Sequence, residues 1–240
     1  MTGAGGATTS LSARHAVVIA TGTSALVPDI AGLREAAPWT SRAAAAASEV
    51  PGRLAIIGGG VVAAEMATAC AGLGAPVDAD EILVAIGRTP NTHDVGLYRV
   101  GLEPGARLAV DDTLRVLDGA GALAGDGWLY AAGDVNRRVL LTHQGKYQAR
   151  AVGDVIVARA GGEAADDRPW GRHVATADER AVPQVVFTDP EVASVGLTAA
   201  AAEAAGLRIR VVDYDLAAVA GSALTATRGM PGWSWTRTGG

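Results

Sequence analysis

The run Arg53-Leu54-Ala55-Ile56-Ile57-Gly58-Gly59-Gly60-Val61-Val62-Ala63-Ala64-Glu65 has the residue types and spacing of a pyrophosphate cradle. Gly58 permits a tight turn out of an apolar strand, and Gly60 leaves no Cβ between the backbone and the anion. Ala63 is small enough for the next helix to lie close to that strand. The first turn of the helix then offers N–H groups and a positive dipole end to the phosphates. A GxGxxG/A turn also occurs as a plain turn, and the strand before it and helix after it are what give it weight. Glu65 is read from the residues as a first-turn acid that complements the helix dipole. Cys70 is the only cysteine, which excludes an intrachain disulfide, a CxxC or CxxxxC redox pair and a cysteine-rich zinc site. Its place on an Ala-rich helix makes it a small buried hydrophobe. His143 and His173 are read as partly exposed or core histidines rather than catalysts.

Elements to position these residues follow from the apolar patterning. His15 to Ala20 reads as a buried strand that ends at Thr21-Gly22-Thr23, and Ser41 to Glu49 as an Ala-rich helix closed by Pro51-Gly52. The glycine turn opens a helix from Val61 to Leu73, with Gly74 as its stop. A strand over Glu81 to Ile86, a loop over Gly87 to Thr92 and short strands within Arg107 to Val116 come next. Trp128 to Ala132 reads as a third buried strand, ending at Gly133-Asp134, where the aspartate by itself would be a turn or helix-cap residue. Thr142 to Arg159 is helical, with Tyr147, Ala151, Val155 and Ala158 near one face. A charged connector at Gly161 to Asp178 suggests a domain boundary. Then follow a strand over Val182 to Phe187, a turn at Asp189-Pro190, a helix from an N-capping Thr198 to Ala205 with Gly206 as its stop, and a strand over Leu207 to Val212. No internal repeat is present.

Composition narrows the function classes. The 240 residues are 49% hydrophobic but only 4% aromatic, enough for a sizeable core that packs thinly. A net charge of −5 without a basic block argues against a nucleic-acid or anionic-membrane surface. The chain has no apolar run of about 18 residues and no signal-peptide pattern over Met1 to Ala13, so a cytoplasmic protein is expected. The first dozen residues read as a flexible leader.

Five signatures stand in a fixed order: Ala20-Thr21-Gly22; Gly58-Gly59-Gly60 with Glu65; Ala85-Ile86-Gly87-Arg88-Thr89-Pro90-Asn91; Tyr130-Ala131-Ala132-Gly133-Asp134; and Phe187-Thr188-Asp189-Pro190-Glu191-Val192-Ala193-Ser194-Val195-Gly196. This order resembles the pyridine nucleotide-disulfide oxidoreductases, two-nucleotide flavoproteins that include dihydrolipoamide dehydrogenase, glutathione reductase and mercuric reductase. The resemblance runs from about His15 to Leu224. It implies an α/β fold made of remnants of two Rossmann-like FAD- and NAD(P)-binding domains plus part of an α+β dimerisation domain. The segments would be 1–50 (leader and FAD-domain remnant), 51–95 (shortened NAD(P) domain), 96–178 (second part of the FAD domain) and 179–240 (partial dimerisation domain). It also implies a cofactor site: Thr21 and Gly22 beside FAD; Gly58, Gly59, Gly60 and Ala63 at the NAD(P) pyrophosphate; Glu65 and Gly87 near the nicotinamide. Gly133 and Asp134 would meet the FAD ribityl chain, where a carboxylate can accept from two hydroxyls at once. Leu140, Leu141, Thr142 and His143 would cover the flavin ring. No catalytic or metal-binding residue is assigned. The partners implied are the nucleotides and, as in the family, a second subunit, with no nucleic acid and no membrane.

The sequence departs from the family pattern at three places. The family's FAD-binding glycine turn and CxxxxC pair belong ahead of the point that His15 matches. Gly74-Ala75-Pro76-Val77 runs almost directly into Asp80-Glu81, which leaves out the ribose-reading segment. Asp78 lies about 20 residues past the turn, where a ribose carboxylate would be counted, but Pro76 interrupts the strand that it would need. After Ala223 the chain has neither a strand nor a helix period and lacks a His-Glu pair. Two functions are therefore expected as alternatives: an oxidoreductase that moves hydride from NAD(P)H to FAD and on to an acceptor other than a disulfide, or a non-catalytic remnant that binds nucleotide weakly or self-associates. Incomplete domains are also expected to leave apolar faces such as Ile82 to Ile86 and Val185 to Phe187 uncovered.

Overall fold

The computed structural model describes residues 6–75, 80–215 and 231–234, so Asp78 and most of the tail after Ala223 lie outside the described residues. The chain divides into two units, one made of residues 1–179 with 184–193 and the other of 180–183 with 194–240.

The first unit is built on short apolar runs that end in glycine turns. Val17–Ile19 (β1) pairs in parallel with Leu129–Ala131 (β6), Val17 opposite Leu129 and Ile19 opposite Ala131. Leu54–Ile57 (β3) pairs in parallel with Glu81–Val84 (β4), each with a helix beside it: Ser41–Ala45 (α1) and Val61–Gly72 (α2). Joining the two parallel pairs in sequence are Thr23–Ala25 (β2) and Arg88–Pro90 (β5), which pair antiparallel with Thr23 opposite Pro90 and Ala25 opposite Arg88. Thr142–Ala160 (α3) is the long helix, and Ala177–Arg180 (α4) is a single turn.

β6 is buried on both faces because successive side chains point to opposite sides of a strand. Leu129 and Ala131 pack with Leu97, Leu108, Val116 and Val135, whereas Tyr130 and Ala132 pack with Leu114 and with Ala151, Val152 and Val155 of α3. A third cluster joins Leu54, Leu83, Ala44, Ala75 and Cys70. Leu83 and Val84 are therefore buried, which corrects the expected uncovered face over Ile82 to Ile86: α1, α2 and Trp39 close around β4, and only Ile86 stays exposed. Val185, Phe187 and, on β1, Val17 and Val18 are exposed.

Pro183–Val186 (β7) and Val192–Val195 (β8) make a two-stranded sheet whose turn end, Gln184–Ala193, belongs to the first unit. In the second unit Ala199–Ala204 (α5) begins at Thr198, whose hydroxyl accepts from the Ala201 N–H at 3.2 Å. Asp213–Asp215 (β9) pairs antiparallel with Pro231–Ser234 (β10). No strand forms over Leu207 to Val212, and the strand there is β9, just beyond it; the pairing of β10 gives part of the tail a ladder that its sequence period does not announce. Gly87 to Thr92, read as a loop, contains β5, because its partner β2 lies some sixty residues earlier. The Ala-rich helix closes at Ala46, well short of Glu49.

Candidate functional site

The carboxyl ends of the two parallel strand pairs carry most of the residues singled out above, and ligands of open α/β sheets sit at such ends. On the β3–β4 side, the Ala85 N–H donates to the Ile57 carbonyl at 2.8 Å, and Gly58 follows with φ +135°. A Cβ on Gly58 would meet the Ala85 carbonyl, at 2.8 Å from its carbon, whereas around Gly59 and Gly60 the space is open to 4 Å. α2 starts at Val61 with Gly60 as its cap; no side chain caps its first N–H groups and its first turn holds no acid. Ala63 is buried. An open glycine cradle ahead of uncapped N–H groups suits a pyrophosphate.

Glu65 lies beyond that first turn, which corrects its reading as a dipole-complementing acid. Its Oε1 accepts from the Phe187 N–H at 3.0 Å. Gly87, at φ +145°, leads from β4 into β5, and its carbonyl accepts from the Leu26 N–H at 3.0 Å.

On the β1–β6 side, the Ala132 N–H donates to the Ile19 carbonyl at 3.1 Å and brings Thr21-Gly22 next to Gly133-Asp134. Asp134 is not a helix cap: Gly133 holds that place, and the Asp134 Oδ2 accepts from the Thr23 hydroxyl at 2.9 Å. That hydroxyl accepts in turn from Arg88 Nε at 2.5 Å, Arg88 Nη2 donates to the Thr23 carbonyl at 2.7 Å, and Arg88 Nε lies 3.6 Å from Asp134. Asn91 completes the link, its Nδ2 donating to the Thr21 carbonyl at 3.1 Å and its N–H to the Gly22 carbonyl at 3.0 Å. The segment Gly87-Arg88-Thr89-Pro90-Asn91 thus binds one strand pair's loop to the other's. Leu140, Leu141, Thr142 and His143 lie at the start of α3, Thr142 and His143 exposed and Leu140 at the exposed edge. Gly145 lets α3 pass close to Gly133, within 3.4 Å of its Cα measured from an added Cβ.

Thr23, Arg88 and Asn91 stand among the candidate site residues, though the sequence reading did not single them out. The available signal was Arg88 itself, the only Lys or Arg between Arg53 and Arg99. Arg88→Met is expected to cost about 1 kcal/mol, the scale of a few half-exposed hydrogen bonds, and to loosen β2 from β5. Urea denaturation checks the first effect, and faster amide exchange at Asn91 the second.

Cys70 is buried and His173 is 6% exposed, its Nδ1 accepting from the Asp166 N–H at 2.8 Å. Among the described residues no group of three or more His, Cys, Asp or Glu is placed to hold a metal ion, and no helix is long and apolar enough to cross a membrane.

Residues 4–78 match the model of the pyridine nucleotide-disulphide oxidoreductase family, and residues 182–231 match that family's dimerisation domain. Mercuric reductase of Acidithiobacillus ferrooxidans is 31% identical over 246 residues, which takes in 79% of this chain and 41% of the relative. Dihydrolipoyl dehydrogenase of Bacillus subtilis is 33% identical over 142 residues, 59% of this chain and 26% of the relative. Among solved structures, LpdA of Mycobacterium tuberculosis superposes with a TM-score of 0.70 at 24% identity, covering 95% of this chain and 58% of that one. The flavoprotein disulfide reductase RclA of Escherichia coli gives 0.62 at 22% identity, covering 88% and 58%. The chain belongs to the pyridine nucleotide-disulphide oxidoreductase family. Its fold is the mixed α/β fold of that family, with partial Rossmann-like and dimerisation domains. It spans about two fifths of the length of the mercuric reductases that it matches, 41% in each case.

Proposed function

We propose that this chain is the nucleotide-handling part of an FAD- and NAD(P)-dependent oxidoreductase that passes hydride from NAD(P)H to FAD and on to an acceptor other than a disulfide. The observation that carries this reading is the Thr23–Arg88–Asp134 linkage, which ties the start of β5, beyond β4, to the start of β2, beyond β1, and to the turn after β6. FAD, when bound, supplies two-electron acceptance from a nicotinamide and delivery to a second acceptor.

The chain's own residues supply binding and orientation. Gly58, Gly59 and Gly60, with the first turn of α2 and Ala63 behind it, hold the NAD(P) pyrophosphate, and Gly87 and Glu65 border the nicotinamide. Thr21, Gly22 and Gly133 would let the backbone approach the flavin, and Asp134, a carboxylate that can accept from two hydroxyls, would hold the ribityl chain. Leu140 to His143 would cover the flavin ring. As in the family, a second copy is the expected partner, through the dimerisation segment, and the cytoplasm is the expected compartment.

A second reading, a non-catalytic nucleotide binder, draws on the exposure of Val17 and Val18 on β1, 38% and 43%, beside the proposed flavin loop. With so open a strand, protein purified without added cofactor is expected to carry well below one FAD per chain. Absorbance of the isolated protein measures this, and one equivalent of bound flavin would contradict it. Titration with FAD, followed by anaerobic addition of NADH or NADPH, then separates the two functions. Bleaching of the bound flavin supports the oxidoreductase; flavin that binds without bleaching, or never binds, supports the second reading.

A further inference from the structure

Gly133 sits at φ +79°, ψ −160°, a backbone region open only to glycine, with open space where a side chain would be. Local sterics therefore do not fix the direction of its N–H, and something else must. That N–H donates to Gln148 Oε1 at 2.7 Å, from a glutamine of α3 with no exposed surface. The same oxygen accepts from Asn136 Nδ2 at 2.9 Å, and Asn136 also donates to the carbonyl of Ala131, the last residue of β6, at 3.1 Å. At its other end Gln148 Nε2 donates to Asp178 Oδ2 at 2.7 Å. The Asp178 side chain is fully buried; its Oδ1 accepts from Gln144 Nε2 at 2.9 Å, and Arg138 Nε lies 3.5 Å from Oδ2.

We propose that Gln148, oriented by Asp178, is the positioning residue that holds the Gly133-Asp134 loop in the form that meets the flavin. A carboxylate only accepts, so the Gln148 amide turns its NH₂ toward Asp178 and its oxygen toward Gly133 and Asn136. The reverse orientation would set NH₂ against two donors and an oxygen against a carboxylate, an uncompensated mismatch in a buried setting. Asp134 is the next residue, so the direction of the Gly133 peptide sets where its carboxylate stands relative to Thr23 and Arg88. Burial pushes the Asp178 carboxyl above its ordinary value, with the Glu179 charge adding to that, against the pull of Gln148, the Arg138 charge and Gln144. That this loop takes flavin rests on the function proposed above; the positioning of Gly133 does not.

The test reads two signals in the full chain, exchange of the Gly133 amide and FAD affinity by titration, in Gln148→Met, Gln148→Glu and the transposed pair Gln148→Glu with Asp178→Asn. Met keeps the volume and removes the acceptor, so Gly133 exchange should rise and FAD affinity fall by about tenfold each, the scale of one buried hydrogen bond. The transposed pair restores the polarity: the carboxylate now at position 148 accepts from Gly133, from Asn136 and from the amide now at position 178. Both signals should return to within about threefold of wild type. Gln148→Glu alone places two carboxylates together and should fall below the pair. Unchanged Gly133 exchange in Gln148→Met overturns the proposal, as does a transposed pair no better than Gln148→Glu alone. Should Gln148→Met fail to fold, the comparison of Gln148→Glu with the pair decides. If wild type binds no FAD while the exchange results hold, the proposed function fails and the positioning stands.

Discussion

Gly58→Ala is expected to destabilise the first unit by about 3–5 kcal/mol and to abolish nicotinamide nucleotide binding, two losses with one cause. At φ +135° an added Cβ is both conformationally disfavoured and driven into the Ala85 carbonyl. The obstacle is backbone, which cannot swing aside as a side chain can, so relief requires β3 and β4 to part where the Ala85 N–H meets the Ile57 carbonyl. That parting also tilts the first turn of α2 away from the cradle. Since a domain's whole stability is only about 5–15 kcal/mol, the fall in denaturation midpoint will be large. Gly59→Ala is the control: its Cβ meets open space and its φ is not in the left-handed region, so stability should stay within about 0.5 kcal/mol. Chemical denaturation and NADPH fluorescence titration check both variants. A Gly58→Ala protein with the wild-type midpoint would refute the packing account.

The second large effect is an absence of turnover. With FAD supplied, and with either nicotinamide, the 240-residue chain is expected not to reduce lipoamide or glutathione disulfide, and Cys70→Ser is expected to leave that result unchanged. Reduction of a disulfide substrate by dithiol exchange cycles two thiols through an internal disulfide, one attacking and one resolving. Cys70 is the only thiol, and it is buried in the cluster of Leu54, Leu83, Ala44 and Ala75, where it has the surroundings of a packing residue rather than of an exposed thiolate. NAD(P)H consumption with each disulfide measures this. Turnover that vanishes in Cys70→Ser would show that one thiol suffices.

Features set by neighbours in the chain were legible. The glycine turn at Gly58, the helix that follows it, the buried strand before Gly133, the long α3 and the Thr198 cap each depend on residues within a few positions of one another. Apolar period and the φ preferences of glycine act over that range. β5 was missed for the opposite reason. Arg88-Thr89-Pro90 has a loop-like composition and is a strand only because Thr23-Ser24-Ala25 is there to pair with it.

The same division holds at the site. Composition, the lone Cys70 of these 240 residues and the five ordered signatures determined the family and the α/β class, because they are matters of which residues occur and in what order. The partners of Asp134, the engagement of Glu65 with Phe187 and the hold of Gln148 on Gly133 came from the folded chain alone. Asp134 meets Thr23 across 111 residues, and Glu65 meets the Phe187 N–H across 122. Such hydrogen bonds are directional and short-ranged, so each forms only where the fold has brought distant parts of the chain together, and no local pattern of residue types records them.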